Sequence, residues 1–281
     1  MHSLTFGELE ITSLVASRFR LDGGAMFGVV PKPLWSHPCP PDEHNRVALA
    51  ANVLLIRYGS DLTLVDTGCG EYFSAKEQQI YGFSPHSSVR SALSALGIRP
   101  EQITRVILTH LHFDHVGGTL IQSGGQTVPL FPNATHLIQR GEWEDAMAAR
   151  SIMKSSYQPK ALSYLKDHGL IRFIEGDTCI SSHISTFQIS GHTAHHQGIK
   201  ILATGQTLVY PGELIPTRAH LSPYWNMGYD MSPYKTLTDK RHFCADAHEQ
   251  NWLVAWDHDP EVAWSYLDLV EGKYTALDVA V

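Results

Sequence analysis

Apolar and polar positions along the first hundred residues predict two strand pairs and a helix. Residues 4–20 alternate between apolar and polar side chains around Gly7-Glu8, which is typical of a β-hairpin that opens a sheet. Residues 51–58 and 62–65 predict a second strand pair. Residues 87–96 place apolar side chains at helical spacing and stop at Gly97, which predicts an amphipathic helix.

Four later strands are predicted at residues 105–108, 184–189, 207–210 and 252–256. Each of them ends where histidines or carboxylates begin along the chain. Polar side chains that follow buried strands are candidates for a site built from loops. These four loops therefore hold the candidate chemistry of the chain.

The densest loop, residues 109–118, is Thr-His-Leu-His-Phe-Asp-His-Val-Gly-Gly. In the extended segment after a strand, His110 and His112 project to one side and can share one metal ion. The following turn can offer Asp114 and His115 to a second ion, and the Gly117-Gly118 pair lets backbone pack close beneath the site. The alternative is a hydrogen-bonded surface cluster in a chain with 17 histidines.

The composition and net charge of the chain indicate what kind of protein it is and which partners are unlikely. The 281 residues are 43% hydrophobic and 17% charged, as in ordinary globular chains, and they suffice for one large domain, residues 1–281. A formal net charge of −7, with no run of basic residues, argues against nucleic acid or an anionic membrane as a partner. Neither of these partners is therefore expected, and a homodimer is a candidate assembly.

Cysteine usage and the first residues bear on the compartment. The four cysteines form no Cys-x-x-Cys pair, which argues against a disulfide framework and against a cysteine-based zinc site. The first residues lack a basic segment followed by an apolar one, and no stretch is long and apolar enough to span a bilayer. These features predict a cytoplasmic protein with unpaired thiols.

The His-x-His-x-Asp-His pattern after a strand resembles the signature of the metallo-β-lactamase superfamily. The resemblance implies an α/β fold, a four-layer αβ/βα sandwich, with a dinuclear metal site at one edge. It implies that His110, His112 and His192 bind one ion. It implies that Asp114, His115 and His258 bind the other.

The resemblance also suggests roles for three further residues. Asp66, in Asp66-Thr67-Gly68, would hold a ligand loop by hydrogen bonds, although a turn aspartate that caps the next segment is the alternative. His196 would support the ligands in the same way. Glu213 stands where the family usually has an aspartate that bridges both ions; a glutamate reaches one methylene farther, so it either bridges or binds one ion.

Two such ions would share a hydroxide whose pKa is close to neutral and would polarise a carbonyl or phosphoryl oxygen. Histidine and carboxylate ligands suit Zn²⁺ first, with Mn²⁺, Fe²⁺ or Co²⁺ as alternatives. Asp114 would have a second, catalytic role, because its other oxygen can orient the hydroxide and exchange a proton.

Within the superfamily, the chain resembles the quorum-quenching lactonases of the YtnP type and related metal-dependent hydrolases. Residues 22–35, 109–115, 216–220 and 225–230 carry this likeness. It implies a small-molecule substrate, namely an N-acyl-homoserine lactone or a similar cyclic ester, that is hydrolysed by a lactonase or carboxylesterase. Two other functions are open: a phosphotriesterase or phosphodiesterase on the same site, and a non-catalytic metal-binding protein.

Residues 21–45 form a long irregular stretch that is too apolar to be disordered. We expect it to pack over a pocket and to share an apolar substrate wall with a second loop. The predicted wall consists of Met26, Phe27, Trp35, Trp225 and Tyr229. Packing in the core is the alternative for each of these residues.

Overall fold

The computed structural model of the chain describes residues 1–71, 73–85, 87–148, 152 and 154–279. It divides into two compact units. Unit 1 comprises Met1–Arg18 and Ala51–Gly176, and unit 2 comprises Phe19–Ala50 and Asp177–Val281. The assignment of residues 1–281 to a single domain stays a prediction.

One seven-stranded sheet has the order β1-β2-β3-β4-β5-β8-β9. Its first four strands pair in sequence order, and β4, β5, β8 and β9 run parallel. The strands, with the separate β6–β7 hairpin, are β1 (His2–Phe6), β2 (Leu9–Asp22), β3 (Arg46–Tyr58), β4 (Asp61–Val65), β5 (Arg105–Ile107), β6 (Leu120–Ser123), β7 (Gln126–Pro129), β8 (Thr135–Gln139) and β9 (Ile171–Ile174).

A second seven-stranded sheet has its strands in sequence order, from β10 to β16. The pair β13–β14 is parallel and the other pairs are antiparallel. The strands are β10 (Thr178–Cys179), β11 (Ile184–Gln188), β12 (Gln197–Ala203), β13 (Gln206–Tyr210), β14 (Leu253–Ala255), β15 (Trp264–Val270) and β16 (Lys273–Asp278).

The helices vary from one turn to five. They are α1 (Gly23–Phe27), α2 (Lys32–Trp35), α3 (Ala75–Tyr81), α4 (Val89–Ala95), α5 (Phe113–Val116), α6 (Arg140–Ala148), α7 (Pro159–Asp167) and α8 (Pro233–Glu249). No helix formed by the described residues is long and apolar enough to cross a membrane.

Each unit has a hydrophobic core of its own. In unit 1, residues of β4, β5 and α4, such as Leu64, Val106 and Leu93, are fully buried together. In unit 2, β13 and β14 pack against α8 through residues such as Val209, Val254 and Phe243. Burial of these side chains stabilises the strands whose ends carry the polar loops.

The predicted hairpin is confirmed, because β1 pairs with β2 and Phe6 lies opposite Leu9. The prediction of an irregular stretch at residues 21–45 is wrong in part, since α1 and α2 lie within it. The Asp22 carboxylate caps α1 by accepting a 2.9 Å hydrogen bond from the Ala25 N–H. One-turn helices of this kind leave no periodic pattern to detect.

Candidate metal-binding site

The predicted Asp66 lies at the end of β4 in unit 1, beside the end of β5. Because β4 and β5 are parallel, their carboxyl ends meet at one edge and bring Asp66 to Thr109. The Asp66 carboxylate accepts hydrogen bonds from the Thr109 N–H at 2.8 Å and from the Thr109 hydroxyl at 2.9 Å. Asp66 has a φ of 60°, an uncommon conformation for a residue with a side chain, so the fold holds it there.

The histidine loop of unit 1 is compact and buried. The ring centres of His110 and His112 are 4.6 Å apart, and those of His110 and His115 are 4.1 Å apart. His115 Nε2 lies 3.9 Å from the nearer Asp114 oxygen. Ligand atoms of His110 and His112 lie within 4.8 Å of each other, and so do those of Asp114 and His115, as the ligands of one metal ion must.

The backbone under this loop packs as closely as the paired glycines predict. A Cβ on Gly117 would overlap the carbonyl of Cys69, and one on Gly118 would overlap the carbonyl of Thr67. The Thr67 hydroxyl donates a 2.8 Å hydrogen bond to the His115 carbonyl. The glycines therefore let two loops touch through their backbones, which fixes the path of the ligand-bearing turn.

Two residues outside the predicted site support His112. The buried Glu142 of α6 accepts a 3.2 Å hydrogen bond from the Leu111 N–H, between His110 and His112. The Tyr157 hydroxyl donates to the same Glu142 oxygen at 3.2 Å, and its ring lies 4.9 Å from that of His112. Burial and the Glu142 charge raise the pKa of Tyr157, so its hydroxyl stays protonated.

In unit 2, the loop after β11 holds His192 against α8. A Cβ on Gly191 would overlap the Thr236 hydroxyl, which explains glycine before this histidine. Nδ1 of His192 donates a 3.2 Å hydrogen bond to the Asp230 carboxylate, and the backbone of Met231 donates to the His192 carbonyl at 3.1 Å. Asp230 thus orients a predicted ligand from 38 residues farther along the chain.

Glu213 lies between the two predicted ligands of unit 2. One carboxylate oxygen contacts Nε2 of His192, and the other lies 3.3 Å from Nε2 of His258. The backbone N–H of Glu213 donates a 3.2 Å hydrogen bond to Nε2 of His196. His196, predicted to support the ligands, is thus buried directly beneath the glutamate.

His258 follows β14 and is fixed on several sides. Its Nδ1 donates a 2.9 Å hydrogen bond to the Ala50 carbonyl, and its backbone N–H donates to the Pro216 carbonyl at 2.9 Å. The Phe19 ring meets the imidazole edge-on at 5.7 Å. The next carboxylate, Asp259, pairs with Arg218 at 3.0 Å and ties the loops after β13 and β14 together.

Four of the predicted histidine ligands share one feature: Nδ1 of each donates a hydrogen bond. The acceptors are Thr109 for His110 (3.1 Å), Asp66 for His115 (2.8 Å), Asp230 for His192 (3.2 Å) and Ala50 for His258 (2.9 Å). A neutral imidazole that donates through Nδ1 carries its lone pair on Nε2. This is the arrangement of zinc-binding histidines, so the donor set fits a transition-metal ion.

Electrostatics in unit 2 also favour a cation. Burial disfavours the charged form of His192, but the nearby Glu213 and Asp230 carboxylates outweigh burial and raise its pKa well above the usual range. A buried carboxylate needs a compensating positive charge. Either a proton on Nε2 of His192 or, when His192 is neutral, a divalent ion beside Glu213 would provide that charge.

The predicted wall residues of α1 and α2 are buried. The Phe27 ring stacks on Trp35, with ring centres 5.3 Å apart, and on His220, with ring centres 4.5 Å apart. Met26 and Phe27 line part of a cavity of about 420 Å³ in unit 2. Their role in substrate binding stays a prediction, and the stacking gives Phe27 and Trp35 a packing role as well.

The other two wall residues, Trp225 and Tyr229, are half-buried on the loop before α8. Trp225 meets Phe27 edge-on at 5.8 Å. Gly28 brings α1 against this loop, since a Cβ there would lie 2.8 Å from the Asn226 carbonyl. The two apolar segments predicted to share a wall therefore do touch within unit 2.

Residues 46–273 match the metallo-beta-lactamase superfamily. Because the match covers most of the chain, the protein belongs to that superfamily. The predicted family is confirmed.

Two solved structures are similar to this chain in fold. The chain is similar to the crystal structure of a probable metal-dependent hydrolase from Staphylococcus aureus, with a TM-score of 0.88, 28% identity, and coverage of 99% of this chain and 100% of that one. It resembles AidC, a dizinc quorum-quenching lactonase in complex with N-hexnoyl-L-homoserine, in fold, with a TM-score of 0.80, 18% identity, and coverage of 100% and 97%. The predicted α/β metallo-β-lactamase fold is confirmed.

The sequence is also 25% identical over 185 residues to the N-acyl homoserine lactonase AttM of Rhizobium radiobacter. That alignment covers 62% of this chain and 64% of the relative. The chain thus spans less than two thirds of the length of that lactonase.

Proposed function

We propose that the protein is a metal-dependent hydrolase that opens N-acyl-homoserine lactones or similar cyclic esters with two bound divalent ions. The observation that carries the proposal is the position of Glu213. Its two oxygens contact Nε2 of His192 and Nε2 of His258, which are predicted to serve different ions. A carboxylate in that position is suited to bridge two ions.

The proposed ligands follow the order of the sequence motifs. His110, His112 and His192 would bind the first ion, and Asp114, His115 and His258 the second, with Glu213 shared. The Nδ1 hydrogen bonds of four of these histidines support the assignment, because they leave Nε2 to ligate. Zn²⁺ suits this set of imidazoles and carboxylates.

When bound, the two ions would supply Lewis-acid polarisation of the ester carbonyl and would lower the pKa of water. Asp114 would ligate with one oxygen and exchange a proton with the other as the ring opens. Asp66 and Thr109 hold the histidine loop so that these atoms keep their positions during the reaction.

The lactone class is supported by two observations. The relative AttM is named an N-acyl homoserine lactonase, and AidC is a quorum-quenching lactonase. In unit 2, the half-buried Trp225 and Tyr229 offer apolar surface on a loop that also holds His192 through Asp230. An acyl chain would gain free energy from contact with such side chains.

The test is a substrate panel with zinc-reconstituted protein, comprising an acyl-homoserine lactone, an aryl ester and a phosphotriester. Lactone turnover should dominate, and Asp114→Asn should abolish it. Asp246→Asn, which removes an exposed carboxylate on α8, is the matched control and should keep parental activity. Preferential turnover of the phosphotriester, or no turnover of any substrate, would overturn the proposed function.

A further inference from the structure

The half-buried aromatics Trp225 and Tyr229 lie on a short segment, residues 225–231, that is held at three places in unit 2. Asp230 bonds to His192, and Lys240 of α8 bonds to Trp225. The Gly228 N–H donates a 2.8 Å hydrogen bond to the Ala25 carbonyl of α1. We call this segment the aromatic loop.

Asp230 connects the aromatic loop to a proposed metal ligand. One of its oxygens accepts from Nδ1 of His192 at 3.2 Å, and the other accepts from the backbone N–H of Met227 at 3.2 Å. One buried carboxylate therefore fixes both the imidazole ring and the turn that carries Tyr229. A shift of the ring must move the carboxylate or break one of the two bonds.

Lys240 fixes the other end of the aromatic loop to a rigid helix. Its side chain is buried with 1% exposure. The ammonium donates to the Trp225 carbonyl at 2.9 Å and to the Asn226 side-chain oxygen at 3.1 Å. Burial lowers the pKa of Lys240 to about 8, and the acceptors it finds on the loop offset part of the cost of burying an amine.

We propose that Asp230 is a positioning residue that couples metal binding at His192 to the conformation of the aromatic loop, and so to the placement of Trp225 and Tyr229. The inference rests on the proposed metal site. It goes beyond the proposed reaction, because the conformation of the aromatic loop would depend on whether His192 binds a metal ion. Lys240 holds the loop in either state of the site.

The physical basis is the shared imidazole. A metal ion bound to Nε2 would withdraw charge from the ring and make Nδ1–H a stronger donor, which would tighten its hydrogen bond to a carboxylate. Asp230 would then be held more firmly in place as the hydrogen-bond acceptor of the Met227 N–H. Loss of the ion should loosen this chain of bonds and allow the loop to open locally.

Amide hydrogen exchange tests the coupling in the full-length protein, metal-depleted and then loaded with zinc alone. In the parent, zinc should slow exchange in peptides that cover residues 225–231. In Asp230→Ala this slowing should be lost, and zinc affinity should fall by about 10–100-fold. Asp230→Asn should recover part of both effects, because an amide oxygen can still accept from Nδ1 of His192.

Two matched variants control for charge and for the helix. Asp246→Asn removes an exposed carboxylate on α8 and should leave the zinc-dependent slowing as in the parent. Lys240→Met should speed exchange of the loop with and without zinc, whereas Lys235→Met, at an exposed lysine of the same helix, should not. Thermal unfolding of each variant verifies that it is folded.

The outcomes separate the coupling from the proposed function. A parent that binds zinc but shows no zinc-dependent slowing, or a folded Asp230→Ala that keeps it, overturns the coupling and leaves the hydrolase proposal standing. A parent that binds no zinc overturns both. A protein with the expected exchange behaviour but no lactone turnover supports the coupling and contradicts only the substrate.

Discussion

The carboxylate of Asp66 lies 2.8 Å from Nδ1 of His115. The same carboxylate accepts two hydrogen bonds from Thr109, the residue that precedes His110. Asp66 is thus attached both to a proposed ligand and to the start of the ligand loop. These contacts support the predicted role of Asp66, which is to hold the histidine loop by hydrogen bonds.

We expect Asp66→Asn to weaken metal binding more than it weakens the fold. An amide can keep one bond to Thr109, but it lacks the charge that makes His115 a basic ligand, so zinc affinity should fall by about 10–100-fold. Zinc titration of the metal-depleted variant measures this. Asp61→Asn, an exposed position at the start of β4, is the control. Equal affinities for the parent and Asp66→Asn would contradict the role.

A second prediction concerns Glu142. Glu142→Ala should lower the free energy of unfolding by about 1–3 kcal/mol, because it leaves the buried Leu111 N–H and Tyr157 hydroxyl without their shared acceptor. Glu142→Gln should cost less, since its oxygen can accept the same bonds. Denaturant unfolding measures both, with the exposed Glu144→Ala as control. If all three variants were equally stable, Glu142 would not be supporting the loop.

A third prediction tests whether Glu213 binds both metal ions or only one. Glu213→Asp should retain activity, because a shorter carboxylate can still serve both ions. Glu213→Ala should lose one ion, since His192 and His258 then lack the oxygens that lie beside them. Elemental analysis of the two variants decides the point. Unchanged metal content in the alanine variant would show that the glutamate is not a ligand.

The proposed ligand residues stand out in the sequence because each follows a strand and belongs to a short local pattern. His110, His112, Asp114 and His115 fall within six consecutive residues. Asp230 and Glu142 could not be found in this way, because they lie 38 and 31 residues from the groups they bond. Only the folded backbone brings such partners together.

The same contrast holds for the secondary structure: local patterns predict some strands and helices, and others depend on tertiary packing. Strands with clear alternation, such as β1 and β2, could be predicted closely. The one-turn helices α1 and α2 could not, because four or five residues contain too little periodicity. Stacking of Phe27 on Trp35 and on His220 stabilises them instead.

A fourth prediction concerns acid stability. Burial lowers the pKa of His136 in β8 from 6.5 to about 4. Between these values the unfolded chain binds a proton that the folded chain refuses, so His136 reduces stability as pH falls, with a limiting slope of about 1.4 kcal/mol per pH unit. Unfolding of His136→Gln and of the parent, measured from pH 7 to 4, should show a shallower decline in the variant. Parallel curves would contradict this.

A fifth prediction separates substrate contact from packing. Trp225→Ala should flatten the gain in kcat/KM with acyl-chain length, which is at most about 0.8 kcal/mol per methylene, and leave metal content unchanged. The exposed Tyr224→Ala is its control. Phe27→Ala should instead lower the free energy of unfolding by about 3–5 kcal/mol, because it opens a cavity beside Trp35 and His220. A folded Trp225→Ala variant with parental chain-length preference would remove Trp225 from the substrate site.

Elemental analysis of the gently purified protein tests the central claim most directly. Three ligands for each ion and a shared Glu213 should hold close to two transition-metal ions per chain, and a chelator that removes them should abolish lactone hydrolysis until zinc is restored. A protein purified without any bound transition metal, and unable to take up zinc, would contradict the account.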